Sequence, residues 1–219
     1  MSKFFQIAMD GPAGAGKSTI AKQLAKILNY TFINSGGIYR SVAVYIKQNN
    51  IQIDNLNLID DIVNYIVVEQ KGNDMYLNGK NVSNLTWTDE ITAIVPKIAQ
   101  IPSVRSFVKK TQQHIADTDN IVIEGRDTTT AVFPDATLKC WIFADPITRA
   151  TRRWEQTGKK GTLEGYLNSL NERDKMDAER TLDPMIRAND AFDVDTTNLN
   201  IEQSCEIILN KFNEIINNK

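Results

Sequence analysis

The chain is poor in the residues that support thiol, imidazole or metal-cluster chemistry: its 219 residues include two cysteines and one histidine. Cys140 lies in an apolar run and Cys205 on the apolar side of a helical pattern, with neither metal-ligand spacing nor a disulfide framework. Both are expected to be buried core thiols. His114, in Lys110-Thr111-Gln112-Gln113-His114, is expected on an exposed helix without a catalytic role. A charge excess is missing too. Against 27 acidic residues stand 25 basic ones, a net charge of -2 that gives no global attraction to a polyanion. No apolar segment reaches 18 residues, and the run after Lys3 ends at Asp10, too early for a signal peptide. The expectation is a cytoplasmic protein with neither nucleic acid nor membrane as partner. Internal repeats and low-complexity stretches are absent, and the length suits one domain with small appendages.

What the chain does have begins at residue 11. Gly11-Pro12-Ala13-Gly14-Ala15-Gly16-Lys17-Ser18 is a complete G-x-x-x-x-G-K-[ST] phosphate-binding loop, directly behind the apolar run Phe4 to Met9. Glycines let the backbone wrap close enough to aim N–H groups at a β-phosphate, Lys17 reaches the β- and γ-phosphates, and the Ser18 hydroxyl can ligate Mg2+. Ile20, Leu24, Ile27 and Leu28 follow at helical spacing, so a helix should start here and add its positive end. Gly11 through Thr19 are the expected ATP-binding residues, and Ser18 the expected metal ligand.

Strand-like runs recur at Phe4 to Met9, Thr31 to Ile33, Ile121 to Ile123, Leu138 to Ala144 and Phe192 to Val194, with helical patterns between them. That alternation predicts an α/β fold with a wound, mostly parallel sheet flanked by helices. Ile201, Cys205, Ile208, Leu209, Phe212, Ile215 and Ile216 predict a closing amphipathic helix. One stretch breaks the rhythm. Tyr65 to Glu69, Met75 to Leu77 and Lys80 to Val82, separated by a Lys71-Gly72-Asn73-Asp74 turn and by Asn78-Gly79, predict small antiparallel strands within an insertion over about residues 41–86. A polar, glycine-rich stretch, Gln156 to Thr162, reads as a mobile lid or as an ordinary exposed loop.

Phosphoryl transfer asks the protein mainly for positioning and positive charge. Arg40 follows Ser35-Gly36-Gly37-Ile38-Tyr39 just beyond the second strand, and Arg126 and Asp127 follow the strand at Ile121 to Ile123. Arg173, Asp177 and Arg180 are spaced to share one helix face. Alone, such a row is a solvated salt-bridge ladder. Beside a phosphate loop it suggests guanidinium groups gripping a second, phosphate-bearing substrate.

The phosphate loop, Asn34 to Arg40, Glu124-Gly125-Arg126-Asp127 with Val132-Phe133-Pro134-Asp135-Ala136, and Glu172-Arg173-Asp174 through Arg180 together resemble the bacterial cytidylate kinase family, in the same order and over the whole chain. The resemblance implies a single P-loop NTPase-type kinase domain, with core segments near 1–40, 87–152 and 166–219, a nucleotide-binding insertion near 41–86 and a short lid near 153–165. It implies transfer of the γ-phosphoryl group of ATP, with Mg2+, to CMP or dCMP by a monomer. By the same resemblance Ser35, Arg40, Arg126 and Arg180 meet the acceptor phosphate, Arg173 and Asp177 the sugar and its surroundings, and Arg105 and Asp127 the cytosine. Lys17, Arg126, Arg180 and the lid residue Arg153 are the expected catalytic groups, with Arg152 beside Arg153 in the lid.

The sequence also departs from the family pattern. Pro96 stands where a base-binding serine is usual, Glu124 replaces an aspartate, and Thr129 replaces a small residue, usually glycine, so that threonine is expected to be strained if the position needs positive φ. An arginine common near the end of the insertion is missing from Asn84-Leu85-Thr86-Trp87. These differences leave open a relaxed acceptor such as UMP, and, further off, a regulator that binds ATP without turnover.

Overall fold

The structure is a computed structural model and describes residues 3–218. From the N-terminus, β1 (Gln6–Asp10) leads to α1 (Lys17–Leu28) and β2 (Thr31–Asn34) to α2 (Ser35–Gln48), followed by α3 (Leu56–Ile62). Three short strands come next, β3 (Val68–Lys71), β4 (Asp74–Leu77) and β5 (Lys80–Asn81), then helices α4 (Ser83–Thr86), α5 (Asp89–Ile98) and α6 (Pro102–Ala116). Alternation resumes with β6 (Ile121–Glu124), β7 (Leu138–Phe143), α7 (Pro146–Gln156), α8 (Leu163–Glu179), β8 (Phe192–Asp195) and α9 (Ile201–Asn217). The chain forms two compact units, one running to Phe32 and resuming at Asp119, the other spanning Ile33–Thr118.

The first unit is built on a five-stranded sheet in the order β2-β6-β1-β7-β8, to which it contributes the first half of β2. β1 is parallel to both β6 and β7, and β7 to β8. This is the wound parallel sheet expected, with strand boundaries within two residues of those read from the apolar runs. Every residue of β6 and the last four of β1 are buried, as strands covered on both faces require. β7 alternates buried and half-buried positions, with Trp141 among the half-buried. On one face, Ile20, Ala21, Leu24 and Ala25 of α1 meet Cys205, Ile208 and Phe212 of α9 over Ile7, Met9, Val122 and Ile142. The rings of Phe5 and Tyr30 pack edge-on against Phe212 at 5.8 and 6.2 Å. Both cysteines are buried there, and burial pushes the Cys140 thiol up. The buried side of α1 is centred on Ala21, Leu24 and Ala25, so Ile27 falls at its margin and is 51% exposed.

In the second unit β3, β4 and β5 form the expected antiparallel sheet, with Val68 opposite Leu77 and Tyr76 opposite Asn81. Asn78 and Gly79 both have positive φ, the requirement of the tight turn their sequence signals. The first of these strands begins three residues later than the apolar pattern suggests. Backbone N–H groups of Tyr65 and Ile66 still bond to Ile62 at the end of α3, and Tyr65 is exposed. His114 is exposed on α6.

Candidate active site

The phosphate loop leaves the central strand at Gly11, whose backbone has φ +141° and lies so close to β7 that an added Cβ would sit 1.9 Å from the Ile142 carbonyl oxygen. No other residue fits there. Gly16, at φ 90°, starts α1 without a side-chain cap, and the first turn contains no acidic residue. A helix beginning this way presents uncapped N–H groups and the positive end of its dipole, the arrangement that attracts phosphate.

Lys17 is buried and its Nζ donates to the carbonyl oxygens of Gly11 and Pro12, each at 2.7 Å. Burial first, and then the positive charge of Arg126, pushes its ammonium down to about 7, against the pull of Glu124, Asp174 and Asp10. Burial and Arg126 likewise bring Arg173 down to about 10. Arg126 itself is also pulled down by burial, but Asp177, Glu124 and Asp174 outweigh that and hold it above its ordinary value. The cations are therefore crowded, with Lys17 and Arg180 buried, Arg126 largely so and the Arg173 side chain 35% exposed, an environment that a polyanion relieves.

Asp177 organises the guanidinium groups. It accepts from Arg126 Nε at 3.0 Å and lies 3.6 Å from Arg180 Nη1 and 4.0 Å from Arg173 Nε. Arg180 Nη2 is 3.0 Å from Asp127 Oδ1, in ion-pair contact without hydrogen-bond alignment. Arg173 Nε and Arg180 Nη2 are buried donors with no hydrogen bond among the described residues. Unmet donors of this kind cost free energy unless a ligand takes them up. The expected row is thus assembled but is not a solvated ladder, and it is not wholly helical. α8 ends at Glu179, and Arg180 follows in extended backbone, its Nε held by the Asp183 carbonyl at 2.7 Å.

Two supports were not foreseen from the sequence. The Ala13 peptide is gripped from both sides: its N–H donates to Asp174 at 2.7 Å, and its carbonyl accepts from Arg149 Nη1 at 2.9 Å. Arg149 and Asp174 are themselves paired at 2.5 Å, and Arg149 Nε reaches the Ala144 carbonyl. The second support is Asp10, fully buried, which accepts from the backbone N–H and the hydroxyl of both Thr128 and Thr129, at 2.6 to 2.9 Å. Thr129 does not have the positive φ that would strain it. Its hydroxyl instead ties the turn after Arg126 and Asp127 to the residue preceding the phosphate loop. The charged side chains of Asp10, Arg149 and Asp174 were the available signal, but their partners are too distant in sequence to be named from it.

On α7 the two expected lid arginines diverge. Arg153 is exposed in the last turn. Arg152, by contrast, donates to the Thr196 carbonyl at 2.6 Å and to its hydroxyl at 3.1 Å, so it ties α7 to the start of the last helical connection. The loop between α7 and α8 is held by Thr157 and Tyr166 hydroxyls 2.6 Å apart and by Trp154 Nε1 donating to Gly161.

Ser35, Arg40, Arg105 and Pro96 belong to the second unit. Ser35 opens α2 with a buried hydroxyl that has no hydrogen-bond partner among the described residues. Arg40 Nη1 donates to the Thr86 carbonyl at 2.8 Å and to Thr92 Oγ1 at 2.7 Å, and its guanidinium carbon lies 4.3 Å from the centre of the Trp87 ring. Arg105 is buried on α6 with Nη1 on the Ala99 carbonyl. Pro96 lies inside α5, where it removes the N–H that would bond to Thr92.

A phosphate loop between the central strand of a wound parallel sheet and an uncapped helix, faced by crowded guanidinium groups, defines a P-loop phosphotransferase. The family model for cytidylate kinase matches residues 7–214. The chain is 40% identical over 207 residues to the cytidylate kinase of Fervidobacterium nodosum, covering 93% of this chain and 94% of that one. Against the cytidylate kinase of Fusobacterium nucleatum it is 38% identical over 212 residues, with coverage of 95% and 97%. The chain belongs to the cytidylate kinase family. A solved structure of a protein from Eubacterium ventriosum shares the fold at a TM-score of 0.53 and 15% identity, covering 97% of this chain and 99% of that one. No helix among the described residues is long and apolar enough to cross a membrane.

Proposed function

We propose that this chain transfers the γ-phosphoryl group of ATP to CMP or dCMP, giving ADP and CDP or dCDP. The observation that carries the proposal is the family match over residues 7–214. The phosphate loop, Gly11 to Thr19, holds the donor, with Lys17 on its β- and γ-phosphates. Arg126 and Arg180 steady the moving phosphoryl group and the acceptor phosphate, helped by Ser35 and Arg40. Arg173 and Asp177 meet the sugar, while Arg105 and Asp127 read the base: a carboxylate accepts from the cytosine N4 amino group and a guanidinium donates to its ring nitrogen or carbonyl. Arg153 completes the cationic set from the lid segment at 153–165, and residues 41–86 form the acceptor insertion. The acceptor phosphate is already an anion, so no general base is required and positioning with charge stabilisation carries the reaction. Buried, unmet donors on Arg173 and Arg180 and the orphan hydroxyl of Ser35 support these roles.

Mg2+ prefers hard oxygen ligands and is commonly held by one or two protein oxygens together with substrate phosphates. The described residues contain no cluster of three His, Cys, Asp or Glu side chains that could cage an ion by itself. The Ser18 hydroxyl, in the first turn of α1, fits the phosphate-shared mode. Bound there, the ion would neutralise charge between the β- and γ-phosphates.

The test is acceptor-dependent ADP release with Mg2+-ATP for CMP, dCMP, UMP, AMP, GMP and dTMP at matched concentrations. CMP and dCMP should lead clearly; a panel led by another acceptor, or one with no turnover, overturns the reading.

A further inference from the structure

Thr196 follows the last residue of β8 and is 2% exposed. The fork of Arg152, on α7, grips it twice: Nη1 donates to its hydroxyl at 3.1 Å and Nη2 to its carbonyl at 2.6 Å. A guanidinium only donates, so the Thr196 hydroxyl oxygen is the acceptor and its proton is left for a carbonyl. Two lie in reach, Ala15 at 3.0 Å and Phe143 at 3.1 Å. Phe143 already receives the Thr196 backbone N–H at 2.8 Å, and Ala15 belongs to the phosphate loop. The chain of bonds from Arg152 through Thr196 thus ends on the backbone that wraps the donor phosphates, and the charged donor at its head polarises the hydroxyl and strengthens the bond it makes. All of these residues lie in the first unit.

Ala15 is fully buried and stands between Gly14 and Gly16, both at positive φ. Peptides flanked by glycine turn easily, so their direction has to be set from outside. No described peptide bond is cis, and each carbonyl and the N–H that follows it therefore leave opposite edges of one plane. Holding the Ala15 carbonyl aims the Gly16 N–H away from Thr196, just as the Arg149 bond to the Ala13 carbonyl at 2.9 Å aims the Gly14 N–H. Backbone N–H groups of such a loop are the donors that cradle phosphate.

We infer that Thr196, with Arg152 behind it, is a positioning residue that sets the Ala15–Gly16 peptide for the donor phosphates. The inference rests on the donor role given to the phosphate loop under the proposed function and does not depend on which acceptor is used. Without the hydroxyl the ligand itself must order that peptide, and affinity falls.

Calorimetric titration with Mg2+-ATP and with Mg2+-tripolyphosphate, which keeps the phosphates and lacks the nucleoside, tests this alongside thermal unfolding. Thr196→Val removes the hydroxyl with little change of shape and should weaken both ligands about three- to tenfold, the range of one hydrogen bond. Thr196→Ser keeps a hydroxyl and should recover most of the loss. Arg152→Gln should weaken both about two- to fivefold, and decides alone if Thr196→Val does not fold. The affinity for CMP without ATP should stay within about twofold throughout, since no acceptor contact is touched. An unchanged affinity for Mg2+-ATP in Thr196→Val, or in Arg152→Gln where that variant is needed, overturns the proposal. A loss for Mg2+-ATP with tripolyphosphate unmoved transfers Thr196 to the nucleoside and overturns it equally. A parallel loss for CMP with a lowered unfolding temperature, unrelieved by Thr196→Ser, assigns Thr196 to structure alone and refutes the proposal. An unaltered protein that does not bind Mg2+-ATP overturns the donor site itself.

Discussion

Asp174→Asn should separate the support of the phosphate loop from its chemistry. The Asp174 carboxylate accepts from the Ala13 N–H and pairs with Arg149, the two side chains retaining 15% and 7% exposure. Asparagine has the same shape and can still accept from Ala13 through its oxygen. What it sets against Arg149 is an amide donor, so a buried guanidinium loses its counter-charge while keeping the Ala13 and Ala144 carbonyls. Removing one partner of a buried pair typically costs about 3 to 5 kcal/mol. The surviving bonds and partial exposure favour the lower end, about 3 kcal/mol. For a chain of this size each kcal/mol lowers the midpoint by about 2–4 °C, so a fall of roughly 6–12 °C is expected in thermal unfolding. The KM for ATP should rise as well, because one of the two anchors on the Ala13 peptide is loosened. Adding Arg149→Gln should recover part of the lost stability by removing the unpaired charge, which a double-mutant cycle reads directly. A midpoint within about 2 °C of the unaltered protein would refute the idea that this pair holds the loop.

Lys17 carries a pH prediction. Its folded value of about 7 lies below the ordinary 10.5, so between these the unfolded chain binds more protons and stability rises with pH, levelling below about 7 and above about 10.5. Binding a triphosphate restores the ammonium, so ATP binding at pH 8 should take up about 0.9 proton, read by calorimetry in buffers of different ionisation enthalpy; zero uptake would contradict the buried, carbonyl-held amine. Thr129→Val removes the 2.6 Å hydroxyl bond to fully buried Asp10 but keeps the backbone N–H bond. It should cost about 2 kcal/mol, the range for a bond to a charged group, measured by chemical denaturation, and an unchanged midpoint would mean that the hydroxyl contributes nothing.

Much of the first unit was legible because its signals are local. The apolar runs mark the five strands, and the spacing of Ile201 through Ile216 marks α9, since side-chain periodicity follows directly from backbone geometry. Less legible was the meaning of individual charged residues. Arg149 and Arg152 stand three apart on one helix, but one is bound to the phosphate loop and the other to Thr196. Nothing in their spacing distinguishes them. Thr129 looked like a strained intrusion until its donor was seen to face Asp10, which lies 119 residues away in the chain.

Local sequence dictates where the backbone bends and wraps: Gly11 and Gly16 at positive φ, Asn78-Gly79 at a tight turn, and the alternation that winds strands and helices into a parallel sheet. Those are constraints between neighbouring residues, and they are written in neighbouring residues. Which charges meet is a property of the folded chain. The grouping of Arg126, Arg173 and Arg180 around Asp177, the grip of Arg149 and Asp174 on Ala13, and the stack of Trp87 on Arg40 depend on how distant segments are brought together and on the loss of water around them. Burial leaves Arg173 Nε and Arg180 Nη2 as directed, unmet donors, and burial belongs to the fold and cannot be read from any one segment.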